Sequence, residues 1–160
     1  MIDHPITSAI RVLRAEKVAY EPFLYPYEER GGTRHSAAML GVDEHGVIKT
    51  LIFEDDAKKP LIVLMHGDRE VSAKNLARLL GVKSVQPCTP AVADKHSGYQ
   101  VGGTSPFGTK RAMPVYLERS ITELSHVHLN GGKRGFLVRI AVPDLVRVLK
   151  PMLVDVAVPR

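Results

Sequence analysis

Val47-Ile48-Lys49-Thr50-Leu51-Ile52-Phe53, and a short way on Leu61-Ile62-Val63-Leu64-Met65-His66, are the stretches whose reading decides the fold. Both are strand-sized runs of β-branched and apolar residues. Between them, Glu54 to Pro60 is a polar connection of hairpin length. Downstream, Ser72 caps a helix through Leu76, Leu79 and Leu80 that Gly81 closes. Thr89-Pro90 starts another helix, because proline at the first helical position gives up no hydrogen bond, and it stops before Gly98. Tyr99 to Val101 runs into a glycine-rich loop, 102 to 108. Met113–Leu117, Val127–Leu129 and Phe136–Ala141 read as strands, with a turn at Gly131–Gly135 before the last of them. Pro143–Leu149 reads as a helix ended by Pro151. Upstream, Ile6, Ile10, Leu13 and Val18 share one face of a helix from Thr7 to Val18. Tyr20–Tyr27 is a strand that Pro22 and Pro26 push to a sheet edge. Thr33–Leu40 is a short helix stopped by Gly41. Strands and short helices mix without strict alternation, which predicts an α+β fold: a mixed sheet with helices packed on it.

The 160 residues suit one domain, 1–160, with one core. Hydrophobic residues are 44% and charged residues 24%, a globular balance that argues against disorder. Cys88 is the only cysteine, so neither an intrachain disulfide nor a four-cysteine zinc site can form. No apolar run approaches a membrane span, and Met1-Ile2-Asp3-His4-Pro5 lacks the basic and apolar regions of a signal peptide. The expected location is therefore cytoplasmic. A net charge of +5 favours polyanionic partners, though an ordinary solvated surface accounts for it equally well.

Three features suggest chemistry. Lys49 interrupts an apolar strand, and a buried lysine is costly unless it is paired; the plain alternative is a side chain pointing to water. In Val101-Gly102-Gly103-Thr104-Ser105-Pro106-Phe107-Gly108 the glycines allow backbone to approach a ligand and expose N–H groups, or simply form a long turn. Ser105 fails as an acyl-enzyme nucleophile. The GxSxG spacing is absent, and Pro106 has no N–H to serve as an oxyanion donor. Asn130-Gly131-Gly132-Lys133-Arg134-Gly135 is not a P-loop, yet its glycines and cations suit phosphate or ribose as well as they suit a hairpin turn. With Lys95, Lys110 and Arg111, Lys133 and Arg134 would make one basic face. Seven histidines invite a metal, but only His126 and His128 share a strand face, and HExxH is missing. No metal and no cofactor is expected. Cys88 has no recognisable catalytic histidine partner.

Taken in order, Gly46-Val-Ile-Lys49-Thr50-Leu51, Ser72-Ala-Lys74-Asn-Leu76-Ala77, Gly98-Tyr99 through Gly108, and Gly131-Gly132-Lys133-Arg134-Gly135 resemble the YbaK family of aminoacyl-tRNA deacylases. That family is related to the editing domain inserted in bacterial prolyl-tRNA synthetase. The resemblance runs from about residue 6 to 150, and the three glycine- and lysine-bearing segments are specific jointly rather than singly. It implies a curled mixed sheet with surrounding helices. It implies that Lys49, with Thr50 beside it, is the key active-site residue near the aminoacyl ester. Gly102, Gly103, Thr104, Ser105, Pro106, Phe107 and Gly108 would line the pocket with Asn130, Gly131 and Gly132, and Tyr27 matches a pocket tyrosine. Mischarged tRNA is the implied substrate and prolyl-tRNA synthetase an implied partner. Cysteine-specific members carry serine and aspartate where this chain has Asn130 and Leu137, so another small amino acid is also open. The rival classes are a non-catalytic nucleic-acid-binding protein, which 6% aromatic residues and no tryptophan disfavour, and an amino-acid-sensing module.

Overall fold

The computed structural model describes residues 1–160. In chain order its elements are α1 (Ser8–Ala15), β1 (Tyr20–Leu24), α2 (Gly32–Leu40), β2 (Ile48–Asp55), β3 (Pro60–His66), β4 (Arg69–Val71), α3 (Ala73–Leu80), β5 (Val85–Pro87), α4 (Pro90–Ser97), β6 (Val115–Glu118), β7 (His126–Lys133), β8 (Phe136–Ala141), α5 (Val142–Leu149), β9 (Met152–Val154) and β10 (Ala157–Pro159). The two quoted runs pair antiparallel as β2 and β3. They form the middle of a five-stranded sheet ordered β5-β2-β3-β6-β9, in which β3, β6 and β9 run parallel. A second sheet, β1-β8-β7, is antiparallel, with the proline-bearing β1 at its edge as expected. A third pairs β10 with β4. The mixed α+β architecture stands.

Alternation along β2 and β3 splits the core in two. Ile48, Ile52, Ile62 and Leu64 meet Val127, Leu129, Val138 and Ile140 of the second sheet, sealed by Ile10 and Leu13 of α1 and Leu145 of α5. On the opposite face Phe53, Leu61, Val63 and Met65 pack on Leu76 and Ala77 of α3, with Val154 and Val156.

The helix limits follow local chemistry. Thr7, Ser72 and Thr89 each accept a backbone N–H from three residues on, closing the first turns of α1, α3 and α4. Gly41, Gly81 and Gly98 take left-handed conformations at three helix ends. Helix α1 ends before the expected Val18 because Lys17 turns left-handed, so that Val18 donates back to the Leu13 carbonyl. The turn expected over Gly131–Gly135 is confined to Arg134 and Gly135, and the residues before it extend β7 with a bulge. Asn130 pairs Leu137 and Lys133 pairs Phe136, leaving Gly131 and Gly132 as the extra residues.

Candidate active site

The open edge of β2 sets the site. β5 covers β2 only at Phe53–Asp55. Cys88 N–H donates to the Ile52 carbonyl at 2.9 Å, so by alternation Thr50 directs its main-chain N–H and C=O to the same side, where no strand follows. There lies a cavity of about 650 Å³. Its walls are β2, the first turns of α2 with Thr33 and Ser36, Pro90 and Ala93 of α4, Gly102 and Thr104 of the loop, and Asn130, Arg134 and Leu137 of the β7–β8 ribbon.

Lys49 and Thr50 both border it, but as strand neighbours they face opposite ways. The Thr50 hydroxyl sits on the face of Ile48 and Ile52. It is the one buried side-chain oxygen or nitrogen in the protein without a hydrogen-bond partner. Lys49 is mostly covered, its side chain 18% exposed; its ammonium donates to the Arg69 carbonyl at 2.5 Å and lies 3.6 Å from the Glu70 carboxylate. Lys49 is thus neither a free surface lysine nor an unpaired buried one.

The rim is a set of clamps. Arg134 lies over the Tyr27 ring at 4.9 Å, and its Nε donates to the Val101 carbonyl at 2.9 Å. Asn130 donates from Nδ2 to the Gly102 carbonyl, while its Oδ1 accepts from the N–H groups of Gly132 and Lys133. Gly102 has φ +92, and a Cβ there would meet the Tyr27 hydroxyl at 2.6 Å. At Gly103 a Cβ would meet the Arg134 nitrogen at 2.6 Å, so the two glycine-rich segments touch backbone to backbone.

Of the residues expected to line the pocket, Tyr27, Gly102, Thr104 and Asn130 do so. Gly103, Ser105, Pro106, Phe107, Gly108, Gly131 and Gly132 do not border the cavity, each for a packing reason. Ser105 is fully buried, with Oγ accepting the Phe107 N–H. Pro106 is buried between these two. Phe107 belongs to the main core. Gly108 packs on the Ser8 backbone, Gly131 on the Phe136 ring and Gly132 on Tyr99 and Thr7; Gly103 abuts the Lys133–Arg134 backbone. The loop therefore offers its first half to the site and anchors itself with its second. Lys110 and Arg111 are stitched by their N–H groups to the Ser97 and His96 carbonyls at the end of α4, which also carries Lys95. With Lys133 and Arg134 they flank the same loop, though only Arg134 borders the cavity.

Sequence reasoning missed Tyr25, Ser36 and Cys88 as wall residues. Tyr25 was accessible from its two-residue spacing to Tyr27. Burial, then neighbouring Tyr27, raises the Tyr25 phenol pKa. Cys88 is close to both Glu54 and His96, a cluster with no spacing signature. Burial and then the Glu54 charge push its thiol up to about 11, so it stays protonated. His96 is fully occupied: Nε2 meets Glu54 at 2.8 Å and Nδ1 meets the Arg111 guanidinium at 3.0 Å. Because arginine only donates, Nδ1 accepts and Nε2 carries the proton toward Glu54. The second histidine cluster, His45, His66 and Asp68, is likewise internally paired. The His45 and His66 rings stack at 3.7 Å, and His66 bonds the His45 carbonyl and Ser120. His126 and His128 share a strand but remain apart from both clusters. No helix is long and apolar enough to cross a membrane.

Residues 30–148 match the family of the aminoacyl-tRNA editing domain, and the chain belongs to that family. Among curated relatives, an inferred "Cys-tRNA(Pro)/Cys-tRNA(Cys) deacylase EbsC" of Enterococcus faecalis is 29% identical over 136 residues, covering 84% of this chain and 83% of that one. A "Proline--tRNA ligase" of Nitratidesulfovibrio vulgaris is 33% identical over 85 residues, 53% of this chain and 15% of the ligase. The solved structure of hypothetical protein APE2540 superposes with TM-score 0.87 at 22% identity, covering 95% of this chain and all (100%) of that one. That of an inferred trans-editing enzyme for prolyl tRNA synthetase superposes with TM-score 0.82 at 20% identity, covering 97% and 99%. At such identities these two likenesses speak to the fold.

Proposed function

We propose that this protein is a trans-acting deacylase that hydrolyses the aminoacyl ester of mischarged tRNA. The observation carrying this reading is the Thr50 hydroxyl, buried without a partner beside the uncovered edge of β2, at the wall of a cavity of amino-acid size or larger. A buried hydroxyl without a hydrogen bond costs about 1–3 kcal/mol, and a ligand that engages it offsets that cost. On this reading the aminoacyl group enters the cavity. Thr50 and the β2 edge meet its polar atoms, and the terminal ribose stays at the rim with Tyr27, Arg134 and Gly102.

Water is the attacking group. Its oxygen adds to the ester carbonyl, the bond from the carbonyl carbon to the ribose oxygen breaks, and that oxygen leaves with a proton. The protein supplies no activated nucleophile: Ser105 is buried in its turn, and the Cys88 thiol is protonated. Its contribution is electrostatic and positional. Lys49 borders the cavity and supplies a positive charge that stabilises the negative charge developing on the ester carbonyl. Lys95, Lys110, Arg111, Lys133 and Arg134 steer the acceptor end. Prolyl-tRNA synthetase is the synthetase whose errors it clears, a reading supported by the names of its relatives. Leu137 and Val47 make one wall apolar, and every polar group of Asn130 except one Nδ2 hydrogen is occupied by the clamp. This favours a small amino acid with an apolar side chain over cysteine.

The test is deacylation of a panel including Cys-tRNA(Pro) and Ala-tRNA(Pro) by wild type and Lys49→Ala. Hydrolysis of at least one substrate, reduced by about 100-fold or more in the variant, is expected. Intact esters across the panel with wild type would overturn the reading.

A further inference from the structure

Strands β4 and β10 form a two-stranded sheet of their own, and β10 lies beyond the residues that match the family. Its attachments converge on the site. Ala157, Val158 and Pro159 pair with Val71, Glu70 and Arg69, the last two being the residues that hold the Lys49 ammonium. At the start of β10, the N–H groups of Val156 and Ala157 donate to the buried carboxylate of Glu118 at 2.8 and 3.0 Å. Just after it, Arg160 forms a two-pronged bond to Glu44, at 2.6 and 3.0 Å, and donates to the Gly67 carbonyl at 3.2 Å. Glu44 and the Gly67 carbonyl also receive the hydroxyl of Thr33, which borders the cavity.

A three-residue strand such as β4 has too few ladder bonds to hold itself. Without a partner, the Arg69 carbonyl and the Glu70 carboxylate would wander with their loop. We infer that β10 and Arg160 are positioning elements for Lys49: they fix β4, and β4 holds the ammonium of this cavity-bordering residue against the Arg69 carbonyl and the Glu70 carboxylate. Arg160 acts at both sides of the site at once, through β4 on Lys49 and through Glu44 on Thr33. The catalytic consequence rests on the proposed role of Lys49. The positioning itself is independent of that role and can be read separately.

The experiment uses the full chain with Arg160→Ala and, separately, Glu70→Gln. Both residues are at the surface, so both variants are expected to fold. Acetylation of Lys49 by acetic anhydride is followed by mass spectrometry, with Lys59 and Lys74 as internal references. Lys49 is expected to react about threefold to fivefold faster in each variant, the ratio that the loss of one partly exposed ion pair allows, while the references stay at wild-type rates. In deacylation assays kcat falls by a similar factor with KM little changed, and Arg160→Lys recovers part of it. Unchanged Lys49 acetylation in both variants overturns the inference. Faster acetylation with unaltered hydrolysis keeps the positioning and instead removes Lys49 from the reaction.

Discussion

At the residue scale the decisive contrast is between Lys49 and Thr50. Lys49 stands out in the sequence because a cation interrupts an apolar run; Thr50 does not, because threonine is an ordinary strand residue. Only the folded chain shows that the lysine is satisfied by β4 while the threonine hydroxyl is left alone. This sets up a prediction with two signs. Thr50→Val keeps the shape and removes an unpaired buried hydroxyl, so unfolding stability is expected to rise by about 1 kcal/mol. Deacylation is expected to fall about tenfold, the loss of one hydrogen bond to the bound substrate. A urea titration and a kinetic assay on the same variant separate the two; a loss in both would mark Thr50 as merely structural. Gly102→Ala tests the rim. The left-handed backbone and the Tyr27 hydroxyl both oppose a Cβ there. kcat/KM should drop by about tenfold or more, because displacing a positioning group by an ångström is costly.

At the element scale, most of the sheet was legible because its strands carry their own signals. β2, β3 and β8 are runs of Val, Ile, Leu and Phe long enough to read, and the threonine and serine caps marked three helix starts. β4, β5, β9 and β10 were not legible. Each has three residues, and each exists through a partner distant in sequence rather than through its own pattern. The same limit hid the division of the 102–108 loop, whose buried second half is set by α1 and the core. The bulge in β7 depends on one side chain, Asn130, bonded to three main-chain groups. Asn130→Ala should cost about 1–3 kcal/mol in urea unfolding, because two N–H donors and one carbonyl lose their partner. Asn130→Asp should retain the acceptor but set a carboxylate oxygen against the Gly102 carbonyl, so KM for the ester rises more than in a variant of equal stability changed elsewhere.

At the scale of the whole molecule, charge governs both stability and binding. Burial lowers the pKa of His66 and His128 below the ordinary 6.5. The unfolded chain then binds more protons than the folded one between the lowered values and 6.5. Stability is therefore expected to be full above that pH and to decline as pH falls through the lowered values. His66→Gln with His128→Gln should flatten the slope of the urea midpoint against pH. Glu44, held down chiefly by Arg160, adds a second loss at lower pH, beginning below its ordinary 4.5. For binding, Lys110, Lys133 and Arg134 are the proposed phosphate contacts, and each such contact is expected to contribute about 0.7–0.9 to the log–log dependence of tRNA affinity on salt. Replacing any one by alanine should reduce the measured slope by about that amount, whereas Lys59→Ala, in the hairpin away from the rim, should leave it unchanged.

The protonated thiol in the cavity wall has a meaning for selectivity against damage. Thiol–disulfide exchange and oxidation by peroxide both begin from the thiolate, and at a pKa of about 11 Cys88 offers almost none near neutrality. Free cystine entering the same cavity would thus find almost no thiolate with which to exchange. The one sulfhydryl of the cavity wall is thereby chemically quiet, and the wall keeps its shape in the presence of small disulfides.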